Sequence, residues 1–482
     1  MNKPREDKNI LNYDIVVIGG GGSGLAAAVA AAEKGRSVLV VEKRRNLGGD
    51  TALAGGFFAA ESPSLKRLRN DSNRAELIKR AMQYAHWKTD PRIVSAFINR
   101  SGDTAEWLVN MGVKFSDISE FIPTQGPRIF HLPRGMGVGV VKTLAGRCRA
   151  LKVQVLQGVG AKKILIDSNG EAAGIRAVSK EKELEMAAKS VVIAAGGYAG
   201  NKELLRKYYP FYTEDLHAVG LPLAGDGLML AVDVGAATEG LGTLLLRGPY
   251  FIGAIDVVTV AMEPNTIWVN KKGERFVDET TGFTWPEAAN ALNRQPDKIS
   301  FTIFDDEVKR SFIEQGPIKG YANRPPFAKM TRLEKKLETE AARGGVKISE
   351  SLEGIARWMQ VNPEVLVHTI HEYNLGCDRG RDDILLKDPR FLLPLRKPPY
   401  YAIKCHQGFL GTIGGIKINH HMEVLNRQDL PIPGLYAVGA GAGGWESDTY
   451  CLELSGSAFG FALNSGRIAG ENAADYVSEH GS

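Results

Sequence analysis

Two uninterrupted apolar runs near the start of the chain, Ile15–Ile18 and Val38–Val41, have the length and composition of buried parallel strands. Between them, a glycine-rich turn leads into an uncharged, alanine-rich segment that is typical of a buried helix. The pattern therefore predicts a strand–turn–helix–strand unit over Tyr13–Lys43, with Glu42 at the tip of the second strand.

Further along the chain, short apolar runs alternate with segments of helical periodicity. Asn169-Gly170 is a hairpin turn signal between two such runs, and Pro363 fits the first turn of a helix. The predicted strands are 153–156, 162–166, 173–178, 190–197, 266–269 and 300–304, and the predicted helical segments are 75–112, 225–235, 352–358, 363–373 and 455–476.

The order of these patterns predicts a domain interrupted by an insertion. Glycine-rich strand–turn–helix patterns occupy both ends of the chain, and their character changes between about Leu241 and Pro394. The proline-rich tract Leu392–Pro399 indicates a boundary. We therefore predict a first nucleotide-binding part over 1–240, a capping domain over 241–398, and a second nucleotide-binding part over 399–482.

The turn after the first strand has the spacing GxGxxG, formed by Gly19, Gly21 and Gly24. In a dinucleotide site the first glycine permits the tight turn, the second admits the pyrophosphate, and the third lets helix and strand pack closely. The following helix presents its positive end to the phosphates, and Glu42 is placed to accept hydrogen bonds from a ribose. An ordinary strand–helix–strand unit with a glycine-rich turn is the alternative interpretation.

Composition limits the class of protein. A hydrophobic content of 44% and a charged content of 24% are typical of globular domains, and a net charge of +5 over 482 residues is too diffuse to indicate nucleic acid or a membrane surface. The four cysteines have no metal-ligand or paired spacing, which predicts a reduced cytoplasmic protein without metal. Met1–Asn12 resembles no targeting segment, and the glycines after Ile18 argue against a membrane helix.

Seven ordered segments resemble the flavoprotein superfamily of fumarate reductase and succinate dehydrogenase, which includes the 3-ketosteroid dehydrogenases. Besides the first glycine turn, they are GGDTALAGG at 48–56, SVVIAAGGYAGN at 190–201, AGDGLMLAVDVGA at 224–236, NKKGERFVDE at 270–279, GTIGGIKIN at 411–419, and the pair IPGLYAVGAGAGG at 432–444 and SGRIAGENAA at 465–474.

The resemblance implies an α/β fold: a Rossmann-like FAD-binding domain of the GR2 type with an inserted α+β capping domain. It also implies FAD as cofactor and hydride exchange between flavin N5 and a substrate carbon. The turn and the resemblance together predict these cofactor-binding residues: Gly19, Gly21, Gly22, Ser23, Gly24, Glu42, Lys43, Gly49, Asp50, Thr51, Gly55, Gly56, Ala195, Gly196, Gly197, Asn201, Asp226, Gly439, Ala440, Ser455, Ser457 and Ala458.

Several positions depart from the family pattern. Asp50 matches the histidine that carries covalent FAD in the membrane-bound members, so we predict non-covalent FAD. Phe283 matches the proton-donating arginine of soluble fumarate reductases, Gly411 matches their substrate histidine, and Glu453 matches a carboxylate-binding arginine. Ala440 stands where the family has a glutamate. The chain is therefore predicted not to be a true fumarate reductase.

The resemblance places substrate contacts in Trp445–Ser457, WESDTYCLELSGS. Tyr450 is the leading proton-transfer candidate, since the ketosteroid dehydrogenases have a carbonyl-polarising tyrosine nearby; a buried structural tyrosine is the alternative. Glu453 is either a base or an acid at a helix start. Arg134 either orients an acidic substrate or lies on the surface, and Tyr250 begins the cap. The candidate catalytic residues are thus Tyr450, Glu453, Arg134 and Tyr250.

These observations predict an FAD-dependent oxidoreductase that acts on a carbon–carbon bond next to a carbonyl or carboxyl, either as a reductase or as a dehydrogenase. Aromatic residues of the cap, such as Trp285 and Phe283, favour a cyclic substrate if they face the flavin. The chain shows no haem-attachment motif, so we expect an external electron donor or acceptor. An oxidase of amine or hydroxyl substrates, or an electron-transfer subunit of a larger complex, are the alternatives.

Overall fold

The structure is a computed structural model that describes residues 10–63, 73–119, 129–180, 182–320 and 326–480. Unit 1 comprises the described residues of Met1–Pro210, Gly220–Leu245 and Gly411–Ser482, and unit 2 those of Phe211–Val219 and Leu246–Leu410. Most of Met1–Asn12, on which the expectation of no targeting segment rests, lies outside the described ranges.

Strands and helices are numbered separately in chain order. The strands are β1 (Ile10–Ile18), β2 (Val38–Glu42), β3 (Phe57–Phe58), β4 (Phe115–Ser119), β5 (Phe130–Pro133), β6 (Gln154–Gln157), β7 (Gly160–Ile166), β8 (Ala172–Ser179), β9 (Lys182–Ile193), β10 (His217–Ala218), β11 (Thr238–Tyr250), β12 (Ile267–Asn270), β13 (Ser300–Phe304), β14 (Val346–Ser349), β15 (Tyr400–Ile416), β16 (Glu423–Leu425) and β17 (Pro431–Ala437). The α-helices are α1 (Gly22–Glu33), α2 (Arg74–Tyr84), α3 (Pro91–Asn110), α4 (Met136–Ala150), α5 (Lys202–Tyr208), α6 (Asp226–Asp233), α7 (Ile255–Val260), α8 (Trp285–Asn293), α9 (Asp306–Glu314), α10 (Leu333–Ala342), α11 (Leu352–Met359), α12 (Pro363–Arg379) and α13 (Ser457–Glu479).

The main sheet of unit 1 runs in the order β16-β17-β9-β1-β2-β6, and β8 and β7 extend it from β9. β1 pairs in parallel with β2 and β9, β17 pairs in parallel with β9, and β6 pairs in parallel with β2. The pairs β7–β8, β8–β9 and β16–β17 are antiparallel. Parallel strands need helical crossovers on the sheet faces, which explains why the residues that pair β1 with β2, Ile15–Ile18 and Val38–Val41, are all apolar.

Helix α1 is buried along nearly its whole length, and it packs against α13 and α4. Its alanines allow neighbouring helices to approach closely, because they add little bulk and lose no side-chain entropy in a helix. The apolar, uncharged segment after the glycine turn is thus an interior helix, as its pattern predicts.

In unit 2, β10, β13 and β14 pair with β15, and β12 pairs antiparallel with β13. Helices α7, α9, α10, α11 and α12 bury their apolar faces around this sheet in one continuous hydrophobic core. Both β11 and β15 run from one unit into the other along the chain.

Most of the predicted elements are confirmed. The strand predicted at 300–304 has the same bounds as β13, and the helices predicted at 352–358 and 363–373 are α11 and α12, which end later. The segment 75–112 contains two helices, because Asp90 caps a new helix whose first residue is Pro91. The strand predicted at 190–197 ends at Ile193, where a loop of small residues begins.

Candidate functional site

The first glycine turn of unit 1 joins β1 to α1. Gly19 has a φ of +112°, and a Cβ there would lie 2.4 Å from the Ala194 carbonyl oxygen, so only glycine fits. Gly21 is the N-cap of α1, and a Cβ there would meet only the Gly48 carbonyl oxygen, at 3.9 Å. Gly22, Ser23 and Gly24 form the first turn of α1. The N-terminus of a buried helix therefore faces open space at Gly21.

The second glycine segment lies against this turn. The Gly48 N–H donates to the Gly20 carbonyl at 2.8 Å, and a short 3₁₀ helix follows over Gly49–Leu53. A Cβ on Gly22 would lie 2.5 Å from the Thr51 hydroxyl oxygen. Asp50 accepts a hydrogen bond from the Leu221 N–H at 2.8 Å, and burial raises the pKa of its carboxyl. Gly49, Asp50 and Thr51 thus join the Gly19–Gly24 turn in one loop cluster.

Glu42 ends β2, as predicted, and its carboxylate bonds to the backbone. The N–H groups of Gly20 and Arg44 each donate to it at 2.7 Å. Lys43 forms an ion pair with Asp226, the first residue of α6. These contacts bring together three residues that the sequence assigns to the cofactor.

Two further glycine segments complete the cluster in unit 1. A Cβ on Gly439 would lie 2.7 Å from the Ser23 hydroxyl, and a Cβ on Gly441 would lie 2.7 Å from the Gly196 carbonyl oxygen. Ala440 lies between those two glycines in a 3₁₀ helix, and Ala195 and Gly197 flank Gly196. The carboxyl ends of β1, β9 and β17 therefore meet at one edge of the sheet, where α/β proteins bind nucleotides.

Three predicted cofactor residues have identifiable structural contacts. The Asn201 side chain caps α5 by accepting from the Leu204 N–H, and its amide donates to the Ala224 carbonyl at 3.0 Å. A Cβ on Gly56 would lie 2.6 Å from the His131 carbonyl oxygen, and one on Gly55 would lie 3.8 Å from Met136. The contacts of Asn201 and Gly56 explain those residue types locally, whereas Gly55 has room for a Cβ, and a cofactor role for all three stays a prediction.

Tyr450 lies near the start of α13. Its side chain is buried, and its hydroxyl oxygen accepts a hydrogen bond from the Ala458 N–H at 3.1 Å. Burial raises the pKa of the Tyr450 hydroxyl, so it stays protonated at neutral pH. Ser457 begins α13, and the Ser455 hydroxyl donates to the Leu452 carbonyl at 2.7 Å. The structure therefore brings Tyr450 to the helix N-terminus at which the resemblance expects the flavin.

Two of the catalytic candidates are exposed. The Glu453 side chain is 49% exposed and lies 3.9 Å from the Arg80 guanidinium. Arg134 is exposed in the turn before α4, where its backbone N–H bonds to the Lys114 carbonyl. Solvent screens charges at such positions, so the interactions of Glu453 and Arg134 with other charges are weak.

Tyr250 belongs to an aromatic and cationic cluster within unit 2. Its ring stacks on His217, with centroids 5.7 Å apart, and the Arg247 guanidinium lies 5.1 Å from the Tyr250 ring centroid. Arg247 is fully buried, and its guanidinium also lies 4.8 Å from the Trp285 ring. Trp268, in contrast, is a fully buried core residue of this unit.

Sequence reasoning missed Glu446 in unit 1. Its buried carboxylate accepts from the Cys451 N–H at 3.3 and 3.4 Å, and burial raises the pKa of Glu446 to about 8, which that hydrogen bond partly opposes. Glu446, Phe97 and Leu454 are among the residues that line a cavity of about 10 Å³, which has room for about one water. The signal was a single acid inside the apolar and glycine-rich run AGAGGWE.

The second omission is Lys319 in unit 2, a buried amine near Arg247 and Trp285. The surrounding sequence, GPIKGY, has the composition of an ordinary surface loop. No local pattern marks this lysine, because its burial depends on residues far away in the chain.

The loop cluster of unit 1 fits FAD. The N-terminus of α1 offers backbone N–H groups beside the open space at Gly21, and Glu42 lies at the tip of the next strand, where a ribose would be held. FAD supplies hydride transfer at flavin N5 when it is bound. Among the described residues, the structure shows no cluster of three or more metal-ligating side chains, and none of the described helices is both long and apolar enough to cross a bilayer.

Comparison with known proteins identifies the family. Residues 14–450 match the family described as FAD binding domain. The vinyl phenol reductase of Lactiplantibacillus plantarum is 32% identical to this chain, and the alignment covers 97% of each. A fumarate reductase (cytochrome) of Shewanella frigidimarina is 28% identical over 90% of this chain and 72% of its own length.

A solved structure agrees on the fold. The 3-ketosteroid delta1-dehydrogenase of Sterolibacterium denitrificans superposes with a TM-score of 0.79 at 19% identity, covering 96% of this chain and 99% of that one. The family match and the sequence relatives confirm the expected superfamily and the oxidoreductase class, and the solved structure confirms the α/β fold. The chain belongs to the FAD binding domain family, and it is an FAD-dependent oxidoreductase that acts on CH–CH groups.

Proposed function

We propose that this protein reduces a carbon–carbon double bond conjugated with an aromatic ring, and that vinyl phenols are its substrate class. The observation that carries this proposal is the match with a vinyl phenol reductase along 97% of both chains. The proposed direction is reduction, because the vinyl phenol reductase and the fumarate reductase are both named as reductases.

The side chains favour an aromatic substrate over a dicarboxylate. Glu453, which stands where the resemblance expects a carboxylate-binding arginine, is an exposed acid beside Arg80. A carboxylate at that position repels a substrate carboxylate. In unit 2, the buried Arg247 guanidinium packs against the rings of Tyr250 and Trp285, and aromatic side chains of this kind bind flat aromatic molecules where they line a cleft.

Tyr450 is the proposed proton donor. Its hydroxyl oxygen accepts the Ala458 N–H, so the O–H proton is directed elsewhere, and the raised pKa keeps that proton on the oxygen at neutral pH. Glu446, buried beside Cys451, retains its own proton up to a pH of about 8. Both groups therefore hold protons near the start of α13 rather than negative charge.

Non-covalent attachment of FAD is part of the proposal. Asp50 occupies the position of the flavin-linking histidine, and its carboxylate bonds to the Leu221 N–H.

An external electron donor reduces the flavin, and the protein is assigned to a reducing, cytoplasmic compartment. The support for that compartment is that Cys148, Cys377, Cys405 and Cys451 are all free thiols.

The test is anaerobic reoxidation of the reduced holoenzyme, followed by flavin absorbance. We expect 4-vinylphenol to reoxidise the flavin at least about tenfold faster than fumarate, acrylate or 4-androstene-3,17-dione, with free reduced FAD as the blank. Fastest reoxidation by fumarate, or by oxygen alone, would refute the proposal.

Acid precipitation tests how FAD is attached. Flavin that stays in the supernatant supports non-covalent binding, and flavin that stays on the protein pellet contradicts it.

A variant tests the donor separately. Tyr450→Phe should lower turnover of 4-vinylphenol about tenfold or more, with unchanged FAD content, because it removes the O–H proton and keeps the ring. A structural tyrosine predicts lower thermal stability without a change in the solvent isotope effect on turnover. A proton donor predicts that the isotope effect of the wild type is altered in the variant.

A further inference from the structure

A buried carboxyl group and a buried hydroxyl group line one small cavity within unit 1. The cavity has a volume of about 10 Å³, and Glu446, Cys451 and Ser457 line part of it. The rest of its lining is uncharged, aliphatic or aromatic: Ala81, Val94, Phe97, Trp445 and Leu454. A space of this size holds one water molecule where polar groups are present to bond it.

Both polar side chains need a further hydrogen-bond partner. Glu446 is 8% exposed, and its carboxyl oxygens accept long hydrogen bonds from the Cys451 N–H, at 3.4 and 3.3 Å. Burial raises the pKa of Glu446 to about 8, so at pH 7 the carboxyl carries a proton, which an N–H group cannot accept. The Ser457 hydroxyl oxygen is also buried, and it forms no hydrogen bond within the described residues. One water in the cavity satisfies both groups.

The Ser457 hydroxyl also lies near Tyr450. Burial raises the pKa of the Tyr450 hydroxyl, and the nearby Ser457 side chain and the Ala458 N–H partly oppose that rise, because both favour negative charge on the Tyr450 oxygen. Ser457 thus lines the cavity that holds Glu446, and it is close enough to Tyr450 to affect its proton.

We propose that Glu446 supplies protons to Tyr450 through one water in this cavity and the Ser457 hydroxyl. The inference rests on the proposed function for the role of Tyr450 as donor, and on the cavity and its side chains for the geometry. All of these residues belong to unit 1. Because Glu446 acts through Tyr450, it is a positioning residue for the proton and not a catalytic one.

The transfer moves a proton and no electrons. Once Tyr450 has given up its proton, the O–H bond of Ser457 breaks while an O–H bond forms on the Tyr450 oxygen. The water replaces the proton of Ser457, and Glu446 replaces that of the water. The negative charge ends on the Glu446 carboxylate, which takes a proton from solvent water before the next turnover. The direction is favourable, because the pKa of Tyr450 is raised above its ordinary value of 10 and exceeds that of Glu446.

The groups around Glu446 leave its proton in place at neutral pH. The titratable neighbours Tyr450 and Cys451 are neutral there, because burial raises the pKa of each, and a charge on Glu446 raises both further. Glu453 is 49% exposed and lies beside Arg80 of α2. The residues that α2 and α3 contribute to the cavity are uncharged. Glu446 therefore loses its proton as the pH rises through about 8.

The infrared spectrum of the oxidised holoenzyme tests this proton site without a substrate. A protonated carboxyl group has a C=O stretching band that a carboxylate lacks, and subtraction of the Glu446→Gln spectrum isolates the band of Glu446. We expect this band at pH 7, a shift of it in heavy water, and its loss as the pH rises through about 8. Ser457→Ala should move the band to higher frequency, because the carboxyl then bonds to a water that has lost an acceptor.

Successive turnovers distinguish a proton supply from a donor. Tyr450 holds its own proton in the resting enzyme, so the first reduction of 4-vinylphenol by reduced Glu446→Gln should match the wild type within about twofold. Steady-state turnover per bound flavin should fall about tenfold, because a Gln amide releases no proton. Ser457→Ala should show the same split between the first turnover and the steady state.

Glu479→Gln, the same exchange at the exposed end of α13, is the control and should match the wild type in both rates. Flavin content and far-ultraviolet circular dichroism establish that the variants are folded. Above a pH of about 8, the wild type should show the split of Glu446→Gln, because its carboxyl is then ionised before turnover begins.

The inference is overturned if Glu446→Gln removes no carboxyl band, if Ser457→Ala leaves the Glu446 band unmoved, or if folded Glu446→Gln keeps the steady-state rate of the wild type. A first turnover as slow as the later ones also contradicts it, since the loss then lies in the chemical step. Failure of the proposed function gives a different result. A Glu446 band that responds to Ser457→Ala, in a wild type that does not reduce 4-vinylphenol, supports the path from Glu446 to Ser457 and refutes the function.

Discussion

Two lysines of unit 2 are buried with very different surroundings. Lys387 Nζ lies 3.3 Å from the Glu279 carboxylate and donates to the Thr266 carbonyl at 2.7 Å. Lys319 Nζ is also buried, but it has no hydrogen-bond partner in the described part of the chain, and burial, together with the positive charge of Arg247, lowers its pKa. The Lys387 site is complete among the described residues, whereas the Lys319 amine makes no hydrogen bond within the same ranges.

The difference shows how a buried charge is assigned to structure or to function. Arg275 bonds Glu279 at 2.9 and 2.8 Å, and burial opposes ionisation of Glu279, but Lys387 and Arg275 outweigh burial and hold its pKa below the usual range. All these charges compensate one another. Lys319 has the Glu263 carboxylate as an opposing charge, but its amine makes no hydrogen bond among the described residues, and a buried polar atom in that state reduces stability.

The largest expected effect comes from breaking the complete site. Glu279→Gln should lower the unfolding free energy by about 3–5 kcal/mol, because it leaves Lys387 and Arg275 buried without their central anion. Chemical denaturation measures this change. Glu274→Gln, the same exchange at an exposed acid five positions earlier, is the control and should change stability by less than about 0.5 kcal/mol. A loss for Glu279→Gln as small as for the control would show that the network is not structural.

Glu446 in unit 1 offers the same test with a carboxyl group. Its folded pKa of about 8 exceeds the ordinary value of 4.5, so the folded state binds the proton more tightly, and stability falls as the pH rises from about 4.5 to 8. Glu446→Gln should remove this penalty and stabilise the protein by about 3 kcal/mol at pH 9, with little effect at pH 4. A difference that is independent of pH would contradict the raised pKa.

Lys319→Met should change the stability less than Glu446→Gln does, and its effect should be greatest at low pH rather than at high pH. The folded pKa of Lys319 lies below its unfolded value, so the unfolded state binds more protons, and the penalty is greatest at low pH. The variant should therefore be about 1–3 kcal/mol more stable than the wild type near pH 7, and the gain should shrink toward pH 10. Thermal unfolding across pH measures it, and destabilisation at pH 7 would show that Lys319 has a partner in the fold.

The nucleotide-binding part of the fold was predictable because backbone geometry determines it. Gly19 needs a positive φ and has no room for a Cβ, and apolar runs such as Ile15–Ile18 read directly as parallel strands. The position of Glu42 at the end of β2 also follows from its place in the chain. Such features depend on neighbours in sequence, and a pattern of glycines and apolar residues records them.

The charged clusters were not predictable, because their residues lie far apart in the sequence. Lys319, Glu263 and Arg247 come from separate elements, and nothing near any of them in the sequence indicates burial. Tyr450 was singled out from the resemblance, but its contact with the Ala458 N–H depends on how the chain turns before α13. The interpretation of Glu453 as a base or as an acid at a helix start depends on how exposed its side chain is, and that exposure follows from tertiary packing.

Gly21→Asp should change apoprotein stability least while abolishing cofactor binding. Gly21 has a φ of −75°, which any residue adopts, and a Cβ there meets only the Gly48 carbonyl oxygen, at 3.9 Å. Because Asp is a favourable N-cap, the apoprotein should keep its stability or gain up to about 0.5 kcal/mol. The side chain fills the space expected for the pyrophosphate, and its charge repels the phosphates. Flavin absorbance per protein after purification should therefore be close to zero.

Gly146→Asp, which introduces the same residue in α4 away from the glycine turn, is the matched control and should retain full flavin content. The pair separates two reasons for losing the cofactor. If Gly21→Asp is unfolded, the protein itself fills the space at this turn, and the loss of flavin says nothing about the cofactor. If it is folded and free of flavin, the open space at this turn is the space that the dinucleotide occupies. Full flavin content in folded Gly21→Asp would contradict the placement of the pyrophosphate at this helix N-terminus.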